Sequence, residues 1–365
     1  MFKRSLVGLF VGLCVIGLGS RWAGAEEAGA FWEKTKVSGT VDTSYLYNIN
    51  RPARGTLVPA RQFDVLSNSF NVNMVELAVE TQPAEWATAR FDLDYGSDAV
   101  AGVVHYGNVQ QAYLKVAADS GLSLTMGKFV TMHGAEVIES GANLNFSRSA
   151  LFTNMIPLTH AGLKLDYPIN DDWTGMLALV NGWNTVVDNN AMKSLQLGLA
   201  GKLNDQWSTS IGGMLGPETA DVDKKLTYLI DAIINFDPSE TWHFGLNADY
   251  TADNNNVNTT KRWGAALYGH YRAEAPWGAT VRLEYLKVDA NNRAIAGGAL
   301  PATGLGANGK GYEGTLTLHH YATDGLETRL EIRHDQADTA VFPGKPGSAA
   351  KKYQDTAALE MVYTF

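Results

Sequence analysis

Apolar and polar residues alternate one for one along much of the chain. In the stretch 242–250, Trp242, Phe244, Leu246, Ala248 and Tyr250 alternate with His243, Gly245, Asn247 and Asp249. In 326–333, Leu326, Thr328, Leu330 and Ile332 alternate with Glu327, Arg329, Glu331 and Arg333. A period of two sends successive side chains to opposite sides of a β-strand, so each such segment has one apolar and one polar face. The pattern predicts strands near 35–48, 69–81, 85–96, 107–118, 121–129, 159–168, 172–182, 191–203, 206–216, 225–237, 241–252, 261–272, 277–289, 310–321, 324–334 and 352–365. Of these, 172–182 alternates least well.

The connections between these segments fall into two kinds. After every second segment the chain turns within a few residues: "QPAE", "ADSG", "INDD", "NDQ", "DPSE", "AEAP", "TDG". The others are longer and rich in Asn and Gly, the largest being about 130–158, 290–309 and 335–351. Charges crowd the polar face of consecutive strands, which suits a wall with lipid on one side and water on the other. The expected fold is therefore all-β: a transmembrane, antiparallel, up-and-down β-barrel of about sixteen strands, with short periplasmic turns and long extracellular loops. A barrel of that size encloses a water-filled lumen.

Residues 1–25 carry a basic start (Lys3, Arg4), an apolar run from Ser5 to Ser20 and the small-residue site Ala23–Ala25. This is the pattern of a signal peptide, cleaved after Ala25, leaving 26–365 as the barrel domain. Cys14, the only cysteine, lies in the leader, so the mature chain forms no disulfide. Net charge is −9, and loss of Lys3, Arg4 and Arg21 makes the mature chain more acidic still, which argues against nucleic acid as a partner. Mean hydropathy is −0.14, and no apolar run after Ala25 is long enough for a spanning helix. A closed barrel is the other structure that satisfies every backbone group in lipid.

Five of the nine tryptophans, Trp86, Trp173, Trp207, Trp242 and Trp277, directly follow short polar turns. Placed just above the periplasmic rim, they would form a girdle at the interface with outer-membrane lipid, where an amphipathic ring is favoured. At the C-terminus Leu359, Met361, Tyr363 and Phe365 alternate on one face. This ending resembles the signature of outer-membrane barrels, which implies that Phe365 is read by the barrel assembly machinery.

The longest connection, about 130–158, is too apolar to wave in water. Val130, Val137, Ile138, Leu144, Phe146, Leu151, Phe152 and Ile156 need burial, and the nearest place is the barrel interior. Here the sequence resembles the OmpL-like β-barrel porin-2 family of bacterial outer-membrane proteins. The likeness rests on "GKF" at 127–129, "GAEVIES" at 134–140, "NFSRS" at 145–149, then Pro157, His160 and Gly162, and on the first strand, "SGTVDTSYLYNINRP". It implies a porin: a channel for passive diffusion of small hydrophilic solutes and ions, with loop 3 as its constriction. Trimers are common among general porins, and nothing in the sequence decides between monomer and homotrimer.

Alternation turns Arg90, Asp92, Asp94, Arg282, Glu284, Glu327, Arg329, Glu331 and Arg333 toward the lumen, along with Asp42, Glu76, Lys115, Lys164, Asp166, Asp231, Asp249, Arg272, Glu313 and Glu360. Acidic groups outnumber basic ones, so a mild cation preference is expected. Within loop 3 the constriction candidates are Glu136, Glu139 and Arg148. The segment Gly304–Gly311, "GLGANGKG", imitates phosphate-binding loops, but a strand follows it instead of a helix. His319 and His320 point to opposite faces, and His133 and His160 have no carboxylate or cysteine at ligand spacing, so neither a metal nor another cofactor is expected. Rival readings are an adhesin or structural barrel, or an enzyme at the outer rim using Ser147 or Ser149 with His133 or His160; these show no recognisable triad spacing, and no catalytic residue is assigned.

Overall fold

The structure, a computed structural model, describes residues 31–53, 56–59, 61–99, 108–254, 259–273, 276–290 and 309–365. The leader with its cleavage site, and most of the glycine-rich stretch before Gly311, lie outside the described residues. A short 3-10 turn, Phe31–Lys34, leads into sixteen strands. These are β1 Thr35–Asn48, β2 Ser69–Ala84, β3 Ala87–Tyr95, β4 Val109–Ala117, β5 Ser123–Val130, β6 Thr159–Pro168, β7 Trp173–Val180 and β8 Ser194–Lys202. They continue as β9 Trp207–Pro217, β10 Leu226–Ser239, β11 Trp242–Asn254, β12 Thr259–Arg272, β13 Trp277–Ala290, β14 Lys310–Thr323, β15 Leu326–Ala337 and β16 Tyr353–Thr364. Each strand pairs antiparallel with its neighbours in sequence, and β1 pairs with β16, so the sheet closes without an edge.

The alternation in sequence becomes an alternation in burial, with the usual sense of inside and outside reversed for its apolar half. On β1, Asp42, Ser44, Leu46 and Asn48 are buried on the inner face. Outward residues such as Phe70, Val72, Leu77, Leu283, Leu330 and Ile332 are exposed apolar surface, as a lipid-facing wall requires. The weak alternation of 172–182 has a physical reason: the inner positions of β7, Met176, Ala178 and Val180, are apolar too, and they are buried in a cluster with loop 3.

The seam is closed to the last residue. Phe365 N–H donates to Gly39 O at 3.1 Å, and Gly39 N–H donates to Phe365 O at 3.0 Å. The Phe365 ring covers Gly39, where a Cβ would lie 2.8 Å from the ring edge, so this position admits only glycine without a shift.

Trp173, Trp207, Trp242 and Trp277 are the first residues of β7, β9, β11 and β13, and Trp86 stands in the turn before β3; all are partly exposed at the short-turn rim. Trp207 stacks on Phe236 with centroids 4.3 Å apart, and Trp242 meets Tyr271 at 4.6 Å. A second band, not anticipated from the sequence, lies toward the long-loop rim. It includes Tyr45 with Phe70, Tyr228 with Tyr250, Trp263 with Tyr285, and Tyr285 with Tyr312.

Candidate functional site

Loop 3, residues 131–158, leaves β5, makes a 3-10 turn at Ser140–Ala142, forms the short helix α1 (Ala150–Met155) and returns to β6. Helix α1 starts where Ser149 Oγ accepts a bond from Phe152 N–H at 2.9 Å. Ile138, Phe146, Leu151, Phe152, Met155, Ile156 and Leu158 are all at most 4% exposed. All but Phe146 share one cluster with Phe63 from the β1–β2 loop, Trp183 from the β7–β8 loop and Phe342 from the β15–β16 loop; Phe146 packs with Val58 and Leu46. Val137 departs from the expectation of burial and stands exposed.

Polar side chains on the inner face hold the backbone of this loop. Gly134 and Ala135 N–H donate to Asp231 of β10 and Asn247 of β11, both at 3.2 Å. Phe146 and Ser147 N–H donate to Glu331 of β15 at 2.9 and 3.2 Å, and Ala150 N–H to Glu284 of β13 at 2.7 Å. The carbonyls are met by guanidinium groups: Ser140 O by Arg329 at 3.0 Å, Ser147 O by Arg282 at 2.6 Å, Arg148 O by Arg333 at 2.7 Å and Asn154 O by Arg262 at 3.0 Å. Ser140 Oγ donates to Asp42 of β1 at 2.6 Å. The loop thus crosses the interior from β5 and β6 to the opposite wall. A buried backbone without a ladder must bond elsewhere, and here wall charges do that work.

The three constriction candidates have different surroundings. Arg148 is buried and donates to Val137 O, Phe146 O, Ile138 O and Ser140 Oγ, with its guanidinium 5.2 Å from the Phe63 ring centroid; it ties the loop to itself. Glu136 is buried against Arg282 at 2.7 Å and accepts Ser149 N–H at 2.6 Å. Glu139 is only half-buried, bonded by Gln110 Nε2 at 2.5 Å, and within Coulombic reach of Glu76 and Asp94. Register places Arg90, Asp92 and Asp94 on the inner face of β3 beside it, with Arg90 bonded to Asp92 at 3.0 Å. Arg282, Glu284, Glu327, Arg329, Glu331 and Arg333 lie on the inner faces of β13 and β15. Arg282 is the hub of that side, 2.8 Å from Glu284 and 3.1 Å from Glu313.

Sequence reasoning did not find Arg61 and Phe63, which descend from the β1–β2 loop to join this network; Arg61 bonds Asp64 at 2.6 Å and Asp335 at 3.0 Å. Asp335 belongs to β15 and is buried beside Arg333, so it is no part of a distal loop. An isolated "RQFD" gives no periodic signal from which this could be read. Burial pushes the carboxyl of Asp64 up despite Arg61, pushes Asp98 up to about 7 and pushes the His133 imidazole down to about 3. Ser147 Oγ accepts from Arg282 and Arg333, Ser149 Oγ from Phe152 N–H, and His160 is bonded to Gly182 O and Thr131; no serine here meets an imidazole.

The family described as "Putative beta-barrel porin-2, OmpL-like" matches residues 34–365. The chain belongs to this family. No curated protein matches it by sequence. Among solved structures it is similar to the outer membrane channel DcaP of Acinetobacter baumannii, with 14% identity and a TM-score of 0.61 over 91% of this chain and 97% of that one. It is also similar to OmpT, an outer membrane protein of Vibrio cholerae, as a loop-deletion mutant, with 11% identity and a TM-score of 0.60 over 91% and 99%. OprD of Pseudomonas aeruginosa follows at 13% and 0.51 over 93% and 97%. At such identities the likeness is one of fold, and family and fold together place this member among outer-membrane β-barrel porins.

Proposed function

We propose that residues 1–25 direct export and that 26–365 form a channel through which small hydrophilic solutes and ions diffuse passively, with loop 3 as the constriction. The observation that carries this reading is the anchoring of loop 3 to wall side chains from β1 and β10 to β15. That anchoring fills one side of the interior and leaves half-buried inward charges, Glu80, Arg90, Lys115, Lys164 and Asp166, on the other. Half-buried Glu139 borders that remaining space, with Glu76 and Asp94 buried close by, and its negative charge favours cations by simple Coulomb attraction. The chemistry is passive: a lining that binds ions and water, with no activated nucleophile required. Outer-membrane lipid meets the outer face, and the covering of Gly39 by Phe365 at the seam supports recognition of this end by the assembly machinery.

The test is planar-bilayer conductance of the purified protein, with reversal potential in a salt gradient. Steady conductance without added substrate and a mild cation preference are expected. A folded barrel, shown by different gel mobility before and after boiling, that conducts nothing would overturn the reading in favour of adhesion or display. Deletion of Phe365 should impair membrane assembly while leaving export intact; normal assembly would remove its assigned role.

A further inference from the structure

The short-turn rim carries a second polar group that loop 3 does not use. His243 of β11 and His270 of β12 stand directly opposite each other on the inner face. Both line an open groove of about 490 Å³, together with Asp205, Asp237, Glu240 and Arg272. Across an antiparallel pair, directly opposed residues have Cβ atoms roughly 5 Å apart, close enough for two side chains to share one small ligand.

What distinguishes this pair is how each ring is anchored. His243 Nδ1 lies 2.7 Å from Asp237 Oδ1. An ionised carboxylate can only accept, so the proton sits on Nδ1 and the Nε2 lone pair is left over. His270 reaches a carboxylate through a relay. Its Nδ1 is 2.8 Å from Thr280 Oγ1, which is 2.7 Å from His319 Nε2, and His319 Nδ1 is 2.5 Å from Glu327. Glu327 accepts from His319 Nδ1, and in the tautomer whose His319 Nε2 accepts the Thr280 hydroxyl, Thr280 accepts from His270 Nδ1. The lone pair again falls on Nε2. Among the described residues neither Nε2 has a hydrogen-bond partner. An imidazole whose Nδ1–H is fixed by an acceptor and whose Nε2 is bare is the arrangement found in metal-ligating histidines.

We propose that His243 and His270 form a two-imidazole site for a first-row divalent ion such as Zn²⁺, Ni²⁺ or Cu²⁺ at this mouth of the lumen. Nitrogen donors select these ions over Mg²⁺ or Ca²⁺, which want oxygen. Three carboxylates against one guanidinium keep the groove acidic, and that guanidinium, Arg272, is drawn over the Tyr321 ring at 5.1 Å. Among the described residues no group of three or more His, Cys, Asp or Glu side chains is set to hold a metal. Water therefore completes the shell, and an ion held by two side chains exchanges, so this is a transit or blocking site and not a structural one.

Calorimetric titration of the folded, detergent-solubilised protein with Ni²⁺ tests the site independently of conductance, so its failure is separable from failure of the channel reading. One ion per barrel is expected. His243→Ala and His270→Ala should each abolish binding, and Asp237→Asn should weaken it by about tenfold through loss of the ring's anchor. His334→Ala, at the opposite rim, should bind as the parent does. In bilayers Zn²⁺ should reduce conductance from one side only, reversibly on chelation. Binding unchanged in both histidine variants, or lost in His334→Ala, would overturn the assignment; gel mobility before boiling shows that each variant is folded.

Discussion

The two walls of the barrel grip the same loop by opposite chemistry. From β10 to β16 the strands run 12 to 14 residues, and their inner faces set the charged Asp231, Arg262, Arg282, Glu284, Arg329, Glu331 and Arg333 against the loop backbone, between apolar positions such as Leu229, Ala266 and Leu286. From β5 to β9 they run 8 to 11 residues, and many inner positions facing the loop are apolar or lack a side chain: Met176, Ala178, Val180, Gly198, Gly212 and Met214. Gly198 and Gly212 are paired across β8 and β9, and Met132 and His133 occupy the space their side chains would take. One wall therefore recognises backbone through ions, and the other recognises shape. The first kind of contact is intolerant of losing a partner; the second is intolerant of added volume.

The largest effect should come from breaking the ionic wall at its hub. Arg282→Ala leaves Glu136, Glu284 and Glu313 buried with less counter-charge and should cost about 3–5 kcal/mol in urea unfolding, with loop 3 released and conductance raised or noisier. A stability loss below that of Gly212→Val would mean that the ionic wall is not the stronger grip.

On the short-stranded wall, Glu218 follows β9, buried, and accepts bonds from Ser194 Oγ at 2.6 Å and Trp183 N–H at 2.7 Å. Burial pushes its carboxyl from an ordinary value of 4.5 up to about 7. Because the folded value lies above the unfolded one, the folded state holds this proton more tightly. Its contribution is full below about pH 4.5, declines as pH rises and is lost by about pH 7, a loss of roughly 3 kcal/mol. Stability measured across that window should fall with pH in the parent and flatten in Glu218→Gln.

Next in size, Gly212→Val adds volume where a Cβ would already lie 2.9 Å from the His133 ring. It should cost about 1–3 kcal/mol and shift the conductance, without the charge effects of Arg282→Ala. The smallest change in stability belongs to Glu139→Gln, at the half-buried acidic patch. The barrel should unfold as the parent does, while the reversal potential moves toward lower cation preference. Asp338→Asn in the β15–β16 loop should leave it unmoved. Arg148→Ala sharpens the same contrast: since its guanidinium holds loop carbonyls, loss of stability should precede any shift in selectivity.

The sequence by itself determined the barrel. Lipid outside and water inside impose a period of two, and that period is written in stretches such as 242–250 and 326–333; the short turns and the closing strand with Phe365 follow from the same constraint. It also assigned Arg282, Glu284, Arg329, Glu331 and Arg333 to one face, because a strand leaves no other choice. Only the tertiary structure decided what those charges do. Loop 3 has no period to read, and its partners come from strands about a hundred residues away or more, as Arg282 does for Ser147 and Glu284 for Ala150. Glu136, Glu139 and Arg148 look alike as charges in one loop, yet one is ion-paired, one half-open and one a tie within the loop. Burial and partner choice separate them, and both are set by where the closed wall brings distant residues together.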